Sequence, residues 1–408
     1  MTVSAASTLA YNNTTNTTQS LTVQTGSMVL DAALTVQNIS ANTTLVNNIN
    51  ITRNMTGTGD LIVDTYNNVA DGAVAFSNGR VQLSGDNTAW GGDLIIAKGT
   101  AQYSGANSLG GSGSITIGTT GDAFGAALGF NTGNTSQTLS KAITVTTGGI
   151  RLIRNNSGPG TAADLTLSGP INLEGDLTVD HAGLGAGNSI TFSGGLTGVG
   201  GLNVTFVGPH PITDSSVRLT GTNTYLGETA VSSGTLILGT GTTLASTSIR
   251  VATAGTLNVV ELTNLTLTIA SGNRIGGDGI VAGSLALDAG ARFVFSMTST
   301  LDVNGSVTLD NSFSVASLVN ADGTAIDWSA VSDGSYTLIG AFGSDFSNIS
   351  NFGSGNLGSL GAGKSGYFEN AAGLTGLSFV VVPEPQVCVL IALGLASVFF
   401  FRLRRRSA

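Results

Sequence analysis

The feature that most constrains the fold of this 408-residue chain is a short alternating motif that recurs along most of its length. In each copy a turn-forming residue precedes a run in which apolar and polar residues alternate. Such alternation is typical of a β-strand with one buried face, and the flanking turn formers keep each strand short. The copies are GDLIVD (59–64), GDLIIA (92–97), GSITIG (113–118), ADLTLSG (163–169), GDLTVD (175–180), NSITFSG (188–194), GTLILG (234–239), GTLNV (255–259), GSLALD (283–288) and GSVTLD (305–310). The motif predicts an all-β protein.

Two all-β architectures fit short strands, a sandwich and a solenoid in which successive coils stack strand on strand. Sandwich cores are rich in aromatic residues, whereas aromatic residues make up 6% of this chain. The turns consist mostly of Gly, Asn, Ser and Thr, small residues that fit tight corners and can form ladders between coils. The composition therefore favours a β-solenoid.

A longer internal similarity supports this interpretation. VQLSGDNTAWGGDLIIAKGTAQYSG (81–105) aligns with VRLTGTNTYLGETAVSSGTLILG (217–239). The alignment matches Val81 with Val217, Leu83 with Leu219, Gly85 with Gly221, Asn87-Thr88 with Asn223-Thr224, and Gly91 with Gly227. The two segments thus predict one structural unit that occurs twice.

The second copy resembles the autotransporter-associated β-strand repeat, a unit of bacterial surface and secreted proteins. The first copy departs from that pattern, because Ala89-Trp90 stands where the family has an aromatic residue followed by a small or polar one. Residues 276–310 resemble the stretch that often follows the repeat. The resemblance implies a right-handed parallel β-helix.

The chain divides into four predicted segments. Residues 1–56 are Asn- and Thr-rich coils, and residues 57–310 form the β-solenoid with its repeats. Residues 311–379 hold irregularly spaced aromatic residues and are interpreted as a β cap over the last open coil. Residues 380–408 are a C-terminal segment of different composition.

Charge and cysteine content exclude several classes of function. The chain has 15 basic and 24 acidic residues, and four of the basic ones lie among the last seven positions. The rest of the chain is therefore strongly acidic and repels phosphate backbones, which argues against nucleic-acid binding. The single cysteine, Cys388, lies in an apolar run, so no disulfide and no cysteine-based metal site is predicted.

The best candidate for chemistry is INLEGDLTVD (171–180). As one continuous strand it would place Glu174, Asp176 and Asp180 on one face, where they could hold calcium or act as an acid/base pair on a polysaccharide. Arg151 and Arg154 lie nearby in sequence. Acidic residues also occupy the solvated face of ordinary strands, and this is the interpretation we prefer.

No other motif predicts catalysis. The two histidines, His181 and His210, fall at a predicted strand end and in a predicted turn, where exposed side chains are expected. Walker, HExxH and GxSxG motifs in a suitable context are missing from the sequence. We therefore predict no catalytic residue, no cofactor and no metal site.

The chain ends in VVPEPQVCVLIALGLASVFFFRLRRRSA (381–408). As a helix, the apolar run 387–401 would span ~22 Å, less than the ~30 Å hydrocarbon core of a bilayer. The arginines Arg402, Arg404, Arg405 and Arg406 predict a cytoplasmic end by the positive-inside rule. Pro383 and Pro385 favour extended backbone, which would expose Glu384 outside the membrane.

Pro383-Glu384-Pro385, a short apolar helix and a terminal arginine cluster together resemble the PEP-CTERM sorting signal. The resemblance implies processing by an exosortase, transient anchoring in the inner membrane and release to the surface or the extracellular polymer of a Gram-negative bacterium. Such proteins need an export signal, and since MTVSAASTLAYNNTTNTTQS (1–20) contains none, we expect one to be encoded upstream.

The sequence therefore predicts a non-enzymatic surface or extracellular-matrix protein, with biofilm or exopolysaccharide as its expected setting. Two alternatives stay open. One is an adhesin-like binding protein, and the other is a carbohydrate-active β-helix enzyme that uses the face 174–180.

Overall fold

The structure, a computed structural model, describes residues 1–12, 19–24, 26–38, 48–65, 80–131, 135–155, 164–181, 189–206, 216–341, 344, 346–371 and 376–384. These residues form strands joined by turns, and the helices among them are 3-10 turns at Ala106–Leu109, Thr263–Leu265, Val315–Ser317 and Trp328–Ala330. The all-β prediction is confirmed. Two compact units are present, Met1–Leu267 with Asp278–Ser284, and Thr268–Gly277 with Leu285–Ala408.

The strands are numbered in chain order. They are β1 Thr2–Val3, β2 Ser7–Tyr11, β3 Ser20–Val23, β4 Met28–Leu30, β5 Leu34–Asn38, β6 Asn48–Ile51, β7 Met55–Gly57, β8 Leu61–Thr65, β9 Val81–Leu83, β10 Leu94–Tyr103, β11 Ile115–Ile117, β12 Ala126–Phe130, β13 Gln137–Leu139, β14 Ile143–Val145, β15 Arg151–Asn155, β16 Leu165–Leu167, β17 Ile171–Leu173, β18 Leu177–His181, β19 Ser189–Phe192, β20 Leu196–Gly198, β21 Leu202–Thr205, β22 Ser216–Leu219, β23 Thr222–Asn223, β24 Thr229–Leu238, β25 Thr243–Leu244, β26 Ser248–Asn258, β27 Thr266–Ile269, β28 Arg274–Gly277, β29 Ile280–Ala282, β30 Ser284–Leu287, β31 Arg292–Val294, β32 Leu301–Val303, β33 Val307–Leu309, β34 Leu318–Val319, β35 Gly334–Ala341, β36 Gly358–Gly361, β37 Lys364–Asn370 and β38 Gly376–Pro383. Each of the ten predicted strand segments overlaps one of these strands.

In the first unit most strands pair in parallel with the strand three places later. β1 pairs with β4, β2 with β5 and β3 with β6, and the same rule links β11 with β14, β12 with β15 and β13 with β16. Three consecutive strands therefore form one layer, and each strand lies beside its counterpart in the next layer. The longer strands β10, β24 and β26 each contribute to two such ladders.

The core of the first unit follows from the alternation seen in the sequence. Leu34 of β5 pairs with Leu61, Leu61 with Leu94 and Leu94 with Ile115, and all four are buried. Because register holds alternate residues on one face, the same apolar position repeats from layer to layer. Separations of 27, 33 and 21 residues between these partners show that the turns, and not the core strands, absorb differences in layer length.

The recurring Gly-Asp pair has a separate explanation. A Cβ at Gly92 would lie 2.0 Å from the carbonyl oxygen of Gly59, and a Cβ at Gly113 would lie 1.8 Å from that of Gly92. Layers meet at this corner through backbone alone, so only glycine fits. The following aspartate bonds to the next layer, since Asp60 Oδ1 accepts from the N–H of Asp93 at 3.0 Å.

The second unit begins with parallel pairs, β28 with β31, β31 with β34, β30 with β33 and β32 with β35. Its last strands are antiparallel instead, in the order β35, β38, β37 and β36. An aromatic cluster packs against this antiparallel sheet, with ring centroids of Phe295 and Trp328 5.3 Å apart and those of Phe368 and Phe379 5.1 Å apart. The unit thus changes from parallel to antiparallel pairing at β35.

Candidate functional site

The segment 171–180 is not the single strand that its alternation predicts. β17 ends at Leu173 and β18 begins at Leu177, and the two strands belong to different ladders. The chain turns between them because the N–H groups of Glu174 and Gly175 both donate to the carbonyl oxygen of Val145, at 2.9 and 3.1 Å. The prediction that Glu174, Asp176 and Asp180 share one face of a strand is therefore wrong.

Each of these carboxylates has a separate environment. Asp176 Oδ1 accepts from the N–H of Gly201 in the next layer at 2.7 Å. This is the contact that Asp60 makes with Asp93, so Asp176 is the aspartate of another Gly-Asp corner. Glu174 is exposed, and its nearest described partner is the Asn172 amide at 3.5 Å. Neither arrangement resembles a catalytic acid/base pair.

Asp180 is almost fully buried and faces Arg154, its direct neighbour across the β15–β18 pair. Arg154 Nε donates to Asp180 Oδ2 at 2.7 Å, and the Nη2 group donates to the same oxygen. An ion pair that joins two adjacent strands, with its carboxylate buried, stabilises their register. Its two charged groups satisfy each other and are not available for a substrate.

Arg151 has a structural role that the sequence did not indicate. Its side chain is fully buried and donates to the carbonyl oxygens of Phe124 at 2.6 Å, Thr119 at 3.0 Å and Thr147 at 3.1 Å. It also contacts the Asp122 carboxylate at 3.3 Å. One guanidinium therefore connects the turns of two adjacent layers, and its placement beside the carboxylates as a catalytic partner is not seen.

The described residues contain no group of three His, Cys, Asp or Glu side chains that could hold a metal ion. His181 is the last residue of β18, whereas His210 lies outside the described residues. The predicted lack of a metal site stays a prediction for the chain as a whole.

Five polar side chains of β6, β10 and the residue before β9 lie on the face opposite the apolar core residues of these strands, and three of the five are buried. They are Asn48, Asn50, Arg80, Thr100 and Gln102, and we call them the polar strip. Each of these side chains has a buried polar atom for which the described part of the chain provides no hydrogen-bond partner. The five positions offer amide, hydroxyl and guanidinium groups but no carboxylate, so the strip can form hydrogen bonds but provides no general acid or base.

The predicted sorting motif begins where the antiparallel sheet ends. Pro383 is the last residue of β38 and lies opposite Lys364, and the N–H of Glu384 continues the pairing by donating to the Gly363 carbonyl oxygen at 2.8 Å. The Ser359 hydroxyl donates to Glu384 Oε1 at 3.1 Å. Pro383 lies in a strand, and Glu384 is half-buried, whereas the sequence predicted an exposed residue.

The remaining predicted elements of this segment lie outside the described residues. They are Pro385, Cys388, the apolar run 387–401 and the arginines Arg402, Arg404, Arg405 and Arg406. Within the described part of the chain, no helix has both the length and the apolar character needed to cross a membrane.

Comparison with known proteins gives no match of any kind: the chain matches no family model, no curated protein and no solved structure.

Proposed function

We propose that the chain is an exported, non-enzymatic protein of the bacterial surface or extracellular matrix. Its body is a right-handed parallel β-solenoid, and its last residues are a PEP-CTERM-like signal handled by an exosortase-type enzyme. The observation that carries the proposal is the position of Pro383-Glu384 at the end of the folded sheet, with Pro383 as the last residue of its last strand and Glu384 directly after it. A signal at this position can be read or removed beyond Glu384 without taking a strand from the body.

The solenoid part of the proposal is supported by the pairing of each strand with the strand three places later. Each strand in these pairs lies parallel to the strand three places earlier. The backbone therefore winds around one axis in a constant direction. Connections between parallel strands of one sheet are right-handed in nearly all proteins, which is the reason for the proposed hand.

The non-enzymatic part is supported by the carboxylates. Asp176 accepts from the Gly201 N–H and Asp180 pairs with Arg154, while Glu174 lies exposed at a turn beside the Asn172 amide. An acid/base mechanism needs two groups that converge on a substrate, and these three do not converge.

The test is mass spectrometry of the mature C-terminus combined with cell fractionation, in a bacterium that has an exosortase system. We expect the wild-type chain to lose the residues after the motif, and to pass from the inner membrane to the outer surface or medium. Glu384→Ala should keep its full C-terminus and stay in the inner membrane, whereas the exposed-site control Glu174→Ala should behave as wild type.

A wild-type chain that keeps Ala408 and stays in the inner membrane would reject sorting by cleavage. Circular dichroism of purified Glu384→Ala, compared with wild type, separates a sorting defect from misfolding, because the Glu384 side chain contributes one hydrogen bond from Ser359.

A further inference from the structure

Two arginines lie side by side in the second unit. β28 and β31 pair in parallel, and their register places Arg274 directly beside Arg292. The Arg292 side chain is exposed and the Arg274 side chain is half-buried. Like charges at directly opposite positions of paired strands destabilise a sheet. The placement of these two side chains therefore needs a compensating interaction.

The turn formed by residues 320–323 provides part of that compensation. Arg274 Nε donates to the carbonyl oxygen of Ala321 at 3.0 Å. Arg292 Nη1 donates to the carbonyl oxygen of Gly323 at 3.4 Å. A Cβ at Gly323 would lie 2.9 Å from Arg274 Nη1, so the Arg274 guanidinium packs against the same residue that Arg292 contacts. The two positive groups therefore converge on one turn, which holds both of them in place.

The turn does not neutralise the two charges, because its carbonyl oxygens carry only partial charge. Among the described residues neither arginine forms an ion pair with a carboxylate, whereas six other basic side chains do. Asp322 lies on the turn, but its Oδ1 accepts from the N–H and the hydroxyl of Thr324, at 2.9 and 2.6 Å. The Thr324 hydroxyl bond is the main cause of the lowered pKa of Asp322, and the charge of Arg274 is the smallest. Two converging guanidiniums therefore lack a full counter-charge.

Basic residues are rare in this part of the chain. Residues 268–277 and 285–384 contain nine Asp or Glu and three Lys or Arg, and two of those three are Arg274 and Arg292. An acidic unit that places two of its few positive charges side by side concentrates positive potential at one point. Each guanidinium has five N–H groups in a planar fork, of which one donates to the turn. The other N–H groups can bind an oxoanion, and carboxylate and phosphate match the geometry of the fork.

We propose that Arg274 and Arg292 together bind an oxoanion, either the carboxylate of a sugar acid or a phosphate group. An anion between the two guanidiniums removes their mutual repulsion and accepts hydrogen bonds from both, while the turn 320–323 keeps both side chains in position. All these residues belong to the second unit, and the site does not depend on the proposed sorting of the chain.

Amide NMR of the full chain in a non-ionic detergent tests this site. Sodium glucuronate and sodium phosphate are titrated separately, each against sodium chloride of equal ionic strength. We expect one or both of these oxoanions, but not chloride, to shift the amides of residues 273–275, 291–293 and 321–323 in a saturable way. Arg292→Gln should bind the same anion about tenfold more weakly, because one of the two charged donors is lost.

Arg250→Gln is the matched control. It removes the same charge from an exposed arginine of the first unit and should bind the anion as wild type does. An amide spectrum of Arg292→Gln that matches wild type away from the site shows that this variant folds. Binding of glucuronate alone assigns the site to carboxylates, and binding of phosphate alone assigns it to phosphate groups. Saturable shifts with neither anion, or equal affinity of Arg292→Gln and wild type, would overturn the proposal.

Discussion

Asn87 and Asn223, which occupy matching positions of the internal repeat, each connect three successive layers through one buried side chain. In both, Oδ1 accepts from a backbone N–H of the layer before, and Nδ2 donates to a carbonyl oxygen of the layer after. The partners are Met55 and Ser108 for Asn87, and Leu196 and Thr243 for Asn223. The similarity of the two segments therefore reflects a shared structural contact.

Replacing one of these asparagines should destabilise the first unit. Asn223→Ala leaves the buried Leu196 N–H and the part-buried Thr243 carbonyl without this partner, at a cost of about 2 kcal/mol. The neighbouring Thr224 is exposed, and Thr224→Ala should change stability by less than about 0.5 kcal/mol. Urea unfolding measures both, and equal midpoints for the two variants would contradict the layer-bridging role.

Removing one partner of the Arg154–Asp180 pair should destabilise the folded chain, whereas replacing both partners with apolar residues should change its stability much less. Arg154→Leu removes the partner of a buried carboxylate and should cost about 3 kcal/mol, whereas Arg154→Leu with Asp180→Leu should regain most of that loss. Arg250→Leu is the control, because its pair with Glu228 is exposed and should contribute less than about 1 kcal/mol. A double variant no more stable than Arg154→Leu would show that the pair does not act as a unit.

The glycine beside Arg151 should tolerate no side chain. A Cβ at Gly118 would lie 2.0 Å from Arg151 Nε, whereas Gly121, also at positive φ, has open space around it. Both alanine variants are destabilised because alanine is strained at positive φ, and Gly118→Ala must in addition displace the Arg151 guanidinium. We expect it to be about 2 kcal/mol less stable than Gly121→Ala by urea unfolding. Similar stabilities would mean that Arg151 can move without loss.

Stability of the first unit should fall in acid. The hydrogen bond from Arg218 lowers the pKa of Glu261 below its ordinary 4.5. Partial burial acts to raise the pKa of Asp122, but the Thr119 hydroxyl bond and the Arg151 charge outweigh it and the pKa is lowered. Because these carboxyls bind protons more weakly when folded, their stabilising effect is complete above about pH 4.5 and is lost below it.

The measurement for this prediction is the urea midpoint between neutral pH and pH 3. It should hold steady above about pH 4.5 and decline below, and the decline should be shallower in Asp122→Asn with Glu261→Gln. An unchanged slope in that double variant would assign the acid sensitivity to other groups.

The strands could be predicted from the sequence because each one carries its own alternation and its own turn residues. The corner at 174–176 could not, since the alternation of 171–180 continues through it and only the contact of Glu174 and Gly175 with Val145 reveals the turn. Arg151 was misjudged for a similar reason. Three of its partners are backbone carbonyl oxygens. Since every residue type has such an oxygen, the sequence does not show which residues will bind Arg151.

Glu384 illustrates which structural features of a terminal motif can be predicted from the sequence and which cannot. The flanking prolines predict extended backbone, and Pro383 lies in a strand, whereas Pro385 lies outside the described residues. The bonds of Glu384 to Gly363 and Ser359 depend on the β36–β37 hairpin, a tertiary contact that the residues of the motif do not reveal.

The ladders accept layers of different length, and this property affects how such a chain can evolve. Leu61, Leu94 and Ile115 keep one register although 33 residues separate the first pair and 21 the second. A gene segment that encodes one layer can therefore be duplicated or deleted in frame without redesign of its neighbours, as long as its corner glycine and inward apolar residues are kept. Descendants of one ancestor can differ in layer number and in every turn while retaining the same interior.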